Sequence, residues 1–167
     1  MRNNKPKNKE ILIPQYILEI DRMEKPFLKT IKMHKYPEYV KTPKDVAKMM
    51  RSLTDIHKKA EEFVYIIGVN MAAKPTALFE IGHGAQSCCA FEQKNIITRM
   101  LLCGAKNFII VHNHPSGNVE PSAEDIKSFK KLRQMCDVMD INMLDYIIIG
   151  GYDHYAYKEN PKIDREM

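Results

Sequence analysis

Along the chain the spacing of apolar residues alternates between two and nearly four, and each change of period marks an element. After a polar, lysine-rich start around Pro6, expected to stay mobile, Tyr16-Ile17-Leu18-Glu19-Ile20 reads as a short strand. Pro26 and Pro37 then break the next stretch into a loop. Thr42 opens a helix, with a hydroxyl N-cap, Pro43 at the first helical position and Asp45 in the first turn. Val46, Met49, Leu53, Ile56 and Ala60 share one face of it, a stripe that reads as core. Phe63 to Val69 is a bulky, β-branched run expected as a buried strand headed by Glu61 and Glu62, and Lys74-Pro75 turns it into a second strand near Thr76 to Ile81.

The second half follows the same logic. Gly82 and Gly84 with their small neighbours read as an irregular loop, which leads into a helix from about Glu92 to Cys103 closed by Gly104. A strand from Asn107 to Val111 delivers His112 at its end. A helix from Ser122 to about Met139 turns Ile126, Phe129, Leu132 and Cys136 inward. A last strand, Leu144 to Ile149, meets Gly150-Gly151 and returns through Tyr152 to Tyr157 as a tight hairpin.

Composition narrows the class. With 167 residues, 44% of them hydrophobic, the chain can bury one good core, so one compact domain is expected over 42–160. Residues 1–41 read as a basic N-terminal extension carrying the short strand, and 161–167 as a tail. No apolar run approaches the roughly 18 to 20 residues of a membrane span, and no apolar stretch follows the charged start. A cytoplasmic protein without an export signal or membrane partner is expected. Cys88, Cys89, Cys103 and Cys136 form no C-x-x-C pair, which suits reduced thiols better than a disulfide framework or a zinc ribbon. The net charge of +5 is uneven: residues 1–50 hold 12 Lys/Arg against 6 Asp/Glu. A solvated basic arm explains that excess more simply than nucleic-acid binding, because no aromatic or Arg/Gly interleaving marks a stacking platform.

The chemistry concentrates in Val111 to Asp125. His112 and His114 stand at i and i+2, so on a strand both imidazoles leave the same face. Asp125 follows eleven residues after His114, in what reads as the first turn of a helix, where its carboxylate can close on the same point. Three protein ligands with one open position is the coordination that a catalytic zinc needs. Ser122 and Asp125 also resemble a capping box, and both readings hold if the cap aims Asp125 at the metal. His34, His57, His83 and His154 read as structural.

His112-Asn113-His114-Pro115-Ser116-Gly117, then Pro121-Ser122 and Asp125, resembles the JAMM metal motif (H-x-H, seven residues, S-x-x-D) as carried by RadC-like JAB/MPN-domain proteins. The resemblance spans roughly residues 42 to 157 and implies a cytidine-deaminase-like α/β fold, a mixed sheet sandwiched by helices. It implies Zn2+ held by His112, His114, Asp125 and a water, with a glutamate from a neighbouring strand as general base. Glu62 and Glu61 compete for that role; counting back from Val69-Asn70 favours Glu62, and on a strand the two face opposite ways. The implied activity is hydrolysis of a peptide or isopeptide amide in a protein or peptide substrate, by water whose pKa the metal brings to about 7. Ser122 would donate to the oxyanion, a contribution of about 3 to 4 kcal/mol. Asn113, Ser116 and Gly117 would shape the loop and support the ligands.

Departures from the family pattern are local. Gly82 to Ser87 lacks the usual Thr and Asn, Phe91-Glu92 stands where Pro-Arg is common, and Tyr146 replaces the histidine of Leu-Asp-His. The contiguous HNH letters do not make an HNH nuclease, whose residues are spread over a ββα unit. A zinc deaminase would need H-x-E and P-C-x-x-C, and a helix-borne metallopeptidase H-E-x-x-H. The retained alternative is an accessory RadC-like module that binds protein or nucleic acid, associated with DNA repair or a mobile element.

Overall fold

A computed structural model describes residues 10–37, 40–84 and 91–160. The polar start at residues 1–9, the tail at 161–167, and Cys88 and Cys89 lie outside the described residues. Among the described residues there are seven strands: β1 (Glu10–Ile20), β2 (Pro26–Pro37), β3 (Glu62–Val69), β4 (Pro75–Gly84), β5 (Asn107–Asn113), β6 (Asn142–Gly150) and β7 (Asp153–Ala156). They form one sheet in the order β2-β1-β4-β3-β5-β6-β7. It is mixed, since β1 runs parallel to β4 and β5 parallel to β6 while the other neighbours are antiparallel. Three helices complete the fold: α1 (Pro43–Thr54), α2 (Gln93–Cys103) and α3 (Ala123–Met139).

Side-chain alternation on the central strands divides the interior into two cores. Tyr65, Ile67, Ile109, Val111, Ile147 and Ile149 face α1, where Val46, Met49 and Met50 cover them. Val64, Ile66, Phe108, Ile110, Tyr146 and Ile148 face the other way, against Ile96, Met100, Phe129 and Leu132 of α2 and α3. Every residue of β5 is buried, which places this strand at the centre. Each fully buried Ile or Leu contributes roughly 1.5 to 3 kcal/mol of transfer free energy, so this double core dominates stability. The sheet between helices agrees with the α/β, JAB/MPN type of architecture implied by the resemblance.

Several elements differ from expectation. The strand expected at Tyr16–Ile20 begins at Glu10, and the expected loop between Pro26 and Pro37 is a strand paired along its length with β1. Proline was read there as a breaker, but both prolines sit at the ends of a sheet-edge strand, where a missing N–H costs no ladder bond. The Asp21 carboxylate closes the hairpin by accepting from the Met23 and Lys25 amides. Gly82 and Gly84, expected in a loop, pair with Val64 and Glu62 in β4. The ladder to β3 outweighs the weak strand preference of glycine. α1 ends at Thr54, with Asp55 in the left-handed region at φ 51°, so Ala60 lies outside it and is exposed. Ile56 remains fully buried through a single 3-10 turn.

Candidate metal centre

β5 and α3 meet at the site. The strand runs through His112 to Asn113, slightly farther than its β-branched run suggests, because it pairs with β6 as far as Ile149. The His114 amide then donates to the Ile149 carbonyl, which carries the last strand direction into the loop. Gly117 takes φ +82°, a left-handed conformation that glycine adopts without a Cβ clash, and its N–H donates to the His114 carbonyl. The loop packs on the β6–β7 turn so closely that a Cβ at Gly150 would run into the Gly117 carbonyl. Ser116 Oγ accepts from the Asn118 amide. Ser116 and Gly117 thus shape the loop.

Ser122 caps α3. Its Oγ accepts from the Asp125 amide at 3.1 Å and donates to Asp125 Oδ2 at 2.7 Å, while the Ser122 N–H donates to the same oxygen at 2.8 Å. The box fixes Asp125 on the side of α3 that faces β5. His114 Nε2 lies 3.2 Å from Asp125 Oδ2, and His112 Nδ1 lies 3.6 Å from Oδ1. One ligand atom from each of the three residues falls within 4.8 Å of the others. The sequence-predicted trio is therefore brought together, along with Ser122.

The surroundings suit a cation. His114 Nδ1 makes a 2.7 Å hydrogen bond with the Asn118 carbonyl, so Nδ1 carries the proton there and Nε2 is left with its lone pair toward Asp125 in the neutral ring. His112 Nε2 is buried and has no hydrogen-bond partner among the described residues. Burial drives the His112 pKa down to about 4, against a smaller opposing effect of Asp125, so the ring is neutral at pH 7. Burial also acts to lower His114, but hydrogen bonds to Asp125 and the Asn118 carbonyl outweigh it and raise its pKa. Asp125 is pushed up by burial and pulled down more strongly by His114, His112 and Ser122, which hold it well below the usual carboxylate range. Two imidazoles and one ionised carboxylate, almost withdrawn from water, form a donor set that fits a divalent metal.

Two further residues join the cluster: Tyr146, which the sequence marks only as a departure from the family pattern, and Asn118, which it does not mark. Tyr146 Oη donates to Asp125 Oδ1 at 3.1 Å, and its fully buried ring lies 5.2 Å from His112, centroid to centroid. A polar-tipped aromatic inside the apolar run Tyr146 to Ile149 was the available signal, since a buried hydroxyl seeks a partner. Asn118 acts through its backbone carbonyl, for which residue type carries no signal.

Glu62 opens β3 on the same side. Val64 pairs with His112, so Glu62, two residues back, faces as Val64 does and lies level with the path of β5 toward His114. Its charge acts on His114, and it is half-buried where Glu61 is exposed. Asn113 binds β3 rather than the ligand cluster: its Oδ1 accepts from the Phe63 amide at 2.8 Å and its Nδ2 donates to the Glu61 carbonyl at 3.0 Å. Of the four cysteines, Cys103 and Cys136 are free thiols remote from this cluster, and burial raises both pKa values, that of Cys136 to about 11.

A mixed sheet between helices, with two histidines at a strand end and a capped aspartate on the following helix, defines a JAB-type α/β domain with a cluster that could hold a metal ion. The RadC-like JAB domain family matches residues 40–162, and the chain belongs to that family. A UPF0758 protein of Streptococcus suis is 34% identical over 109 residues, covering 64% of this chain and 43% of that protein. A UPF0758 protein of Clostridium novyi is 30% identical over 120 residues, 72% of this chain and 52% of the relative. One from Pasteurella multocida is 38% identical over 77 residues, 46% and 34% of the two chains. The chain thus spans about a third to a half of the length of these curated relatives. Among the described residues no helix is long and apolar enough to cross a membrane.

Proposed function

We propose that this domain is a zinc-dependent hydrolase that cleaves a peptide or isopeptide amide bond in a protein or peptide substrate in the cytoplasm. The observation that carries the reading is the buried convergence of His112, His114 and Asp125, with an unpartnered imidazole nitrogen and a carboxylate, Glu62, on the same face. Zinc on these three residues would acidify a water and polarise the scissile carbonyl. Zinc is favoured over a harder cation because two of the three donors are imidazole nitrogens.

The chain's own groups handle the protons. Glu62 accepts a proton from the attacking water as the C–O bond forms, and returns it to the amine nitrogen as the C–N bond breaks, which leaves a carboxylic acid and an amine. Ser122 has one hydroxyl proton, now given to Asp125 Oδ2. Turning it toward a developing oxyanion gives up that bond, while the Ser122 N–H still holds the same carboxylate oxygen. Tyr146 keeps the other oxygen in place meanwhile.

Metal content of the purified protein, together with hydrolysis of a panel of peptide and isopeptide substrates, tests the proposal. One zinc per chain and cleavage abolished by chelation and restored by zinc are expected. Zinc without cleavage of any amide would favour the accessory module that binds protein or nucleic acid. Absence of stoichiometric metal would overturn the site itself.

A further inference from the structure

We propose that Asn113 is a positioning residue whose amide clasps β3 on both sides of Glu62 and so sets that carboxylate against the metal-ligand cluster. The inference rests on the hydrolase reading and deepens it. The ladder between β3 and β5 ends at the pair Val64–His112, because beyond it the chain turns toward β6 and the His114 amide bonds to Ile149. Beyond that pair the Asn113 side chain joins β5 to the start of β3, accepting from the Phe63 N–H at 2.8 Å and donating to the Glu61 carbonyl at 3.0 Å. The residue between those two is Glu62.

The chemistry of the clasp is selective. It needs one acceptor and one donor in a rigid plane, because the two flanking backbone groups are an N–H and a C=O. An amide supplies both, and only one orientation of it satisfies both partners. Aspartate would still accept from Phe63 but would set a carboxylate oxygen against the Glu61 carbonyl. Asn113 is only 2% exposed, so water does not readily replace either bond. It sits between the two histidines in sequence, yet its amide bonds to β3, and strand alternation sends it away from them. One tripeptide thereby presents two metal ligands and fixes the position of the proposed base.

The test uses the full chain as Asn113→Asp, Asn113→Ala, Glu62→Gln and the double variants. Asn113→Asp is expected to keep one zinc per chain and to lower kcat about 10-fold or more with KM within about twofold, and Asn113→Ala, which can make neither bond, should in addition expose the Phe63 amide to hydrogen exchange. Combined with Glu62→Gln it should slow the reaction no further than Glu62→Gln alone. Equal slowing in the parent and Glu62→Gln backgrounds would overturn the proposal, as would loss of zinc. An arm without turnover uses the visible spectrum of the cobalt-loaded protein. Glu62→Gln should shift that spectrum and Asn113→Asp should reproduce the shift. A parent-like spectrum for Asn113→Asp beside a shifted one for Glu62→Gln, or no shift in either, would sink the clasp. This arm reads the clasp even when the parent cleaves no amide, in which case the hydrolase reading alone fails. Asn113→Ala repeats each measurement with neither bond possible.

Discussion

Two helix starts in this molecule are built from the same device. At α1, Thr42 Oγ1 donates to Asp45 Oδ2 at 2.8 Å, the Thr42 N–H reaches the same oxygen at 3.0 Å, and the Asp45 amide returns to Oγ1 at 3.2 Å. At α3 the corresponding distances between Ser122 and Asp125 are 2.7, 2.8 and 3.1 Å. Both are hydroxyl-x-x-Asp capping boxes, and both hold a depressed carboxylate. What differs is the other side of the aspartate. Asp45 adds the Lys41 amide and the charge of Lys48, and its own charge acts on Tyr36, whereas Asp125 faces His112, His114 and the Tyr146 hydroxyl, at the end of β5 and in β6. A local motif supplies an oriented carboxylate, and the tertiary neighbourhood decides whether that carboxylate only caps its helix or also joins a cluster that could hold a metal ion.

The strongest contrast lies in metal binding. Asp125→Ala and His114→Ala should each abolish stoichiometric zinc, measured by elemental analysis after dialysis, while Asp45→Ala keeps it fully. Full occupancy in His114→Ala would remove the metal site from the account. The next effect concerns the base. Glu62→Gln should retain zinc and lose at least about 10²-fold in hydrolysis, with Glu61→Gln far milder because Glu61 is exposed and precedes β3. The reverse ranking would mean that β3 presents Glu61 to the site.

Smaller effects sharpen the comparison. Tyr146→Phe, with no counterpart at Asp45, should weaken zinc affinity about 10-fold in a chelator competition, the lower range for an outer-shell partner. An unchanged affinity would show that Ser122 alone orients Asp125. In the zinc-free protein both caps should also respond to acid. Carboxylates with depressed pKa values contribute stability that is present above the unfolded value, 3.8, and is lost as pH falls through the lower folded value. Asp125→Asn should therefore flatten the stability profile below pH 3.8 more than Asp45→Asn does, since the depression at Asp125 is the larger. Equal flattening by the two variants would contradict that difference. Smallest of all, Thr42→Ala should cost about 1 kcal/mol in denaturant unfolding and leave zinc content unchanged. A loss of zinc in that variant would mean that the two helix starts are coupled.

Much of this was legible before the fold. The period of Val46, Met49 and Leu53, the β-branched run at Phe63 to Val69 and the glycines at 104 and 150–151 all announced elements that exist, because each depends on neighbours within a few residues. That His112, His114 and Asp125 converge was legible for the same reason, through the H-x-H spacing at the end of β5 and helix capping at Asp125. The hairpin partner β2 was not, since its prolines argue locally against a strand and only pairing with β1 reveals them as strand ends.

By itself, then, the sequence determined which residues can ligate, which helix start orients the carboxylate, and that two alternating strand faces would be buried. These are consequences of bond geometry and short-range hydrogen bonding. Only the tertiary structure decided that Tyr146 reaches Asp125, that the Asn118 carbonyl holds His114, that Asn113 clasps Glu61 and Phe63, and that Glu62 is half-buried with its charge acting on His114 while Glu61 is exposed. Those relations depend on strand register and on where β5 leaves the ladder, and register is set by the packing of two whole cores rather than by any segment alone.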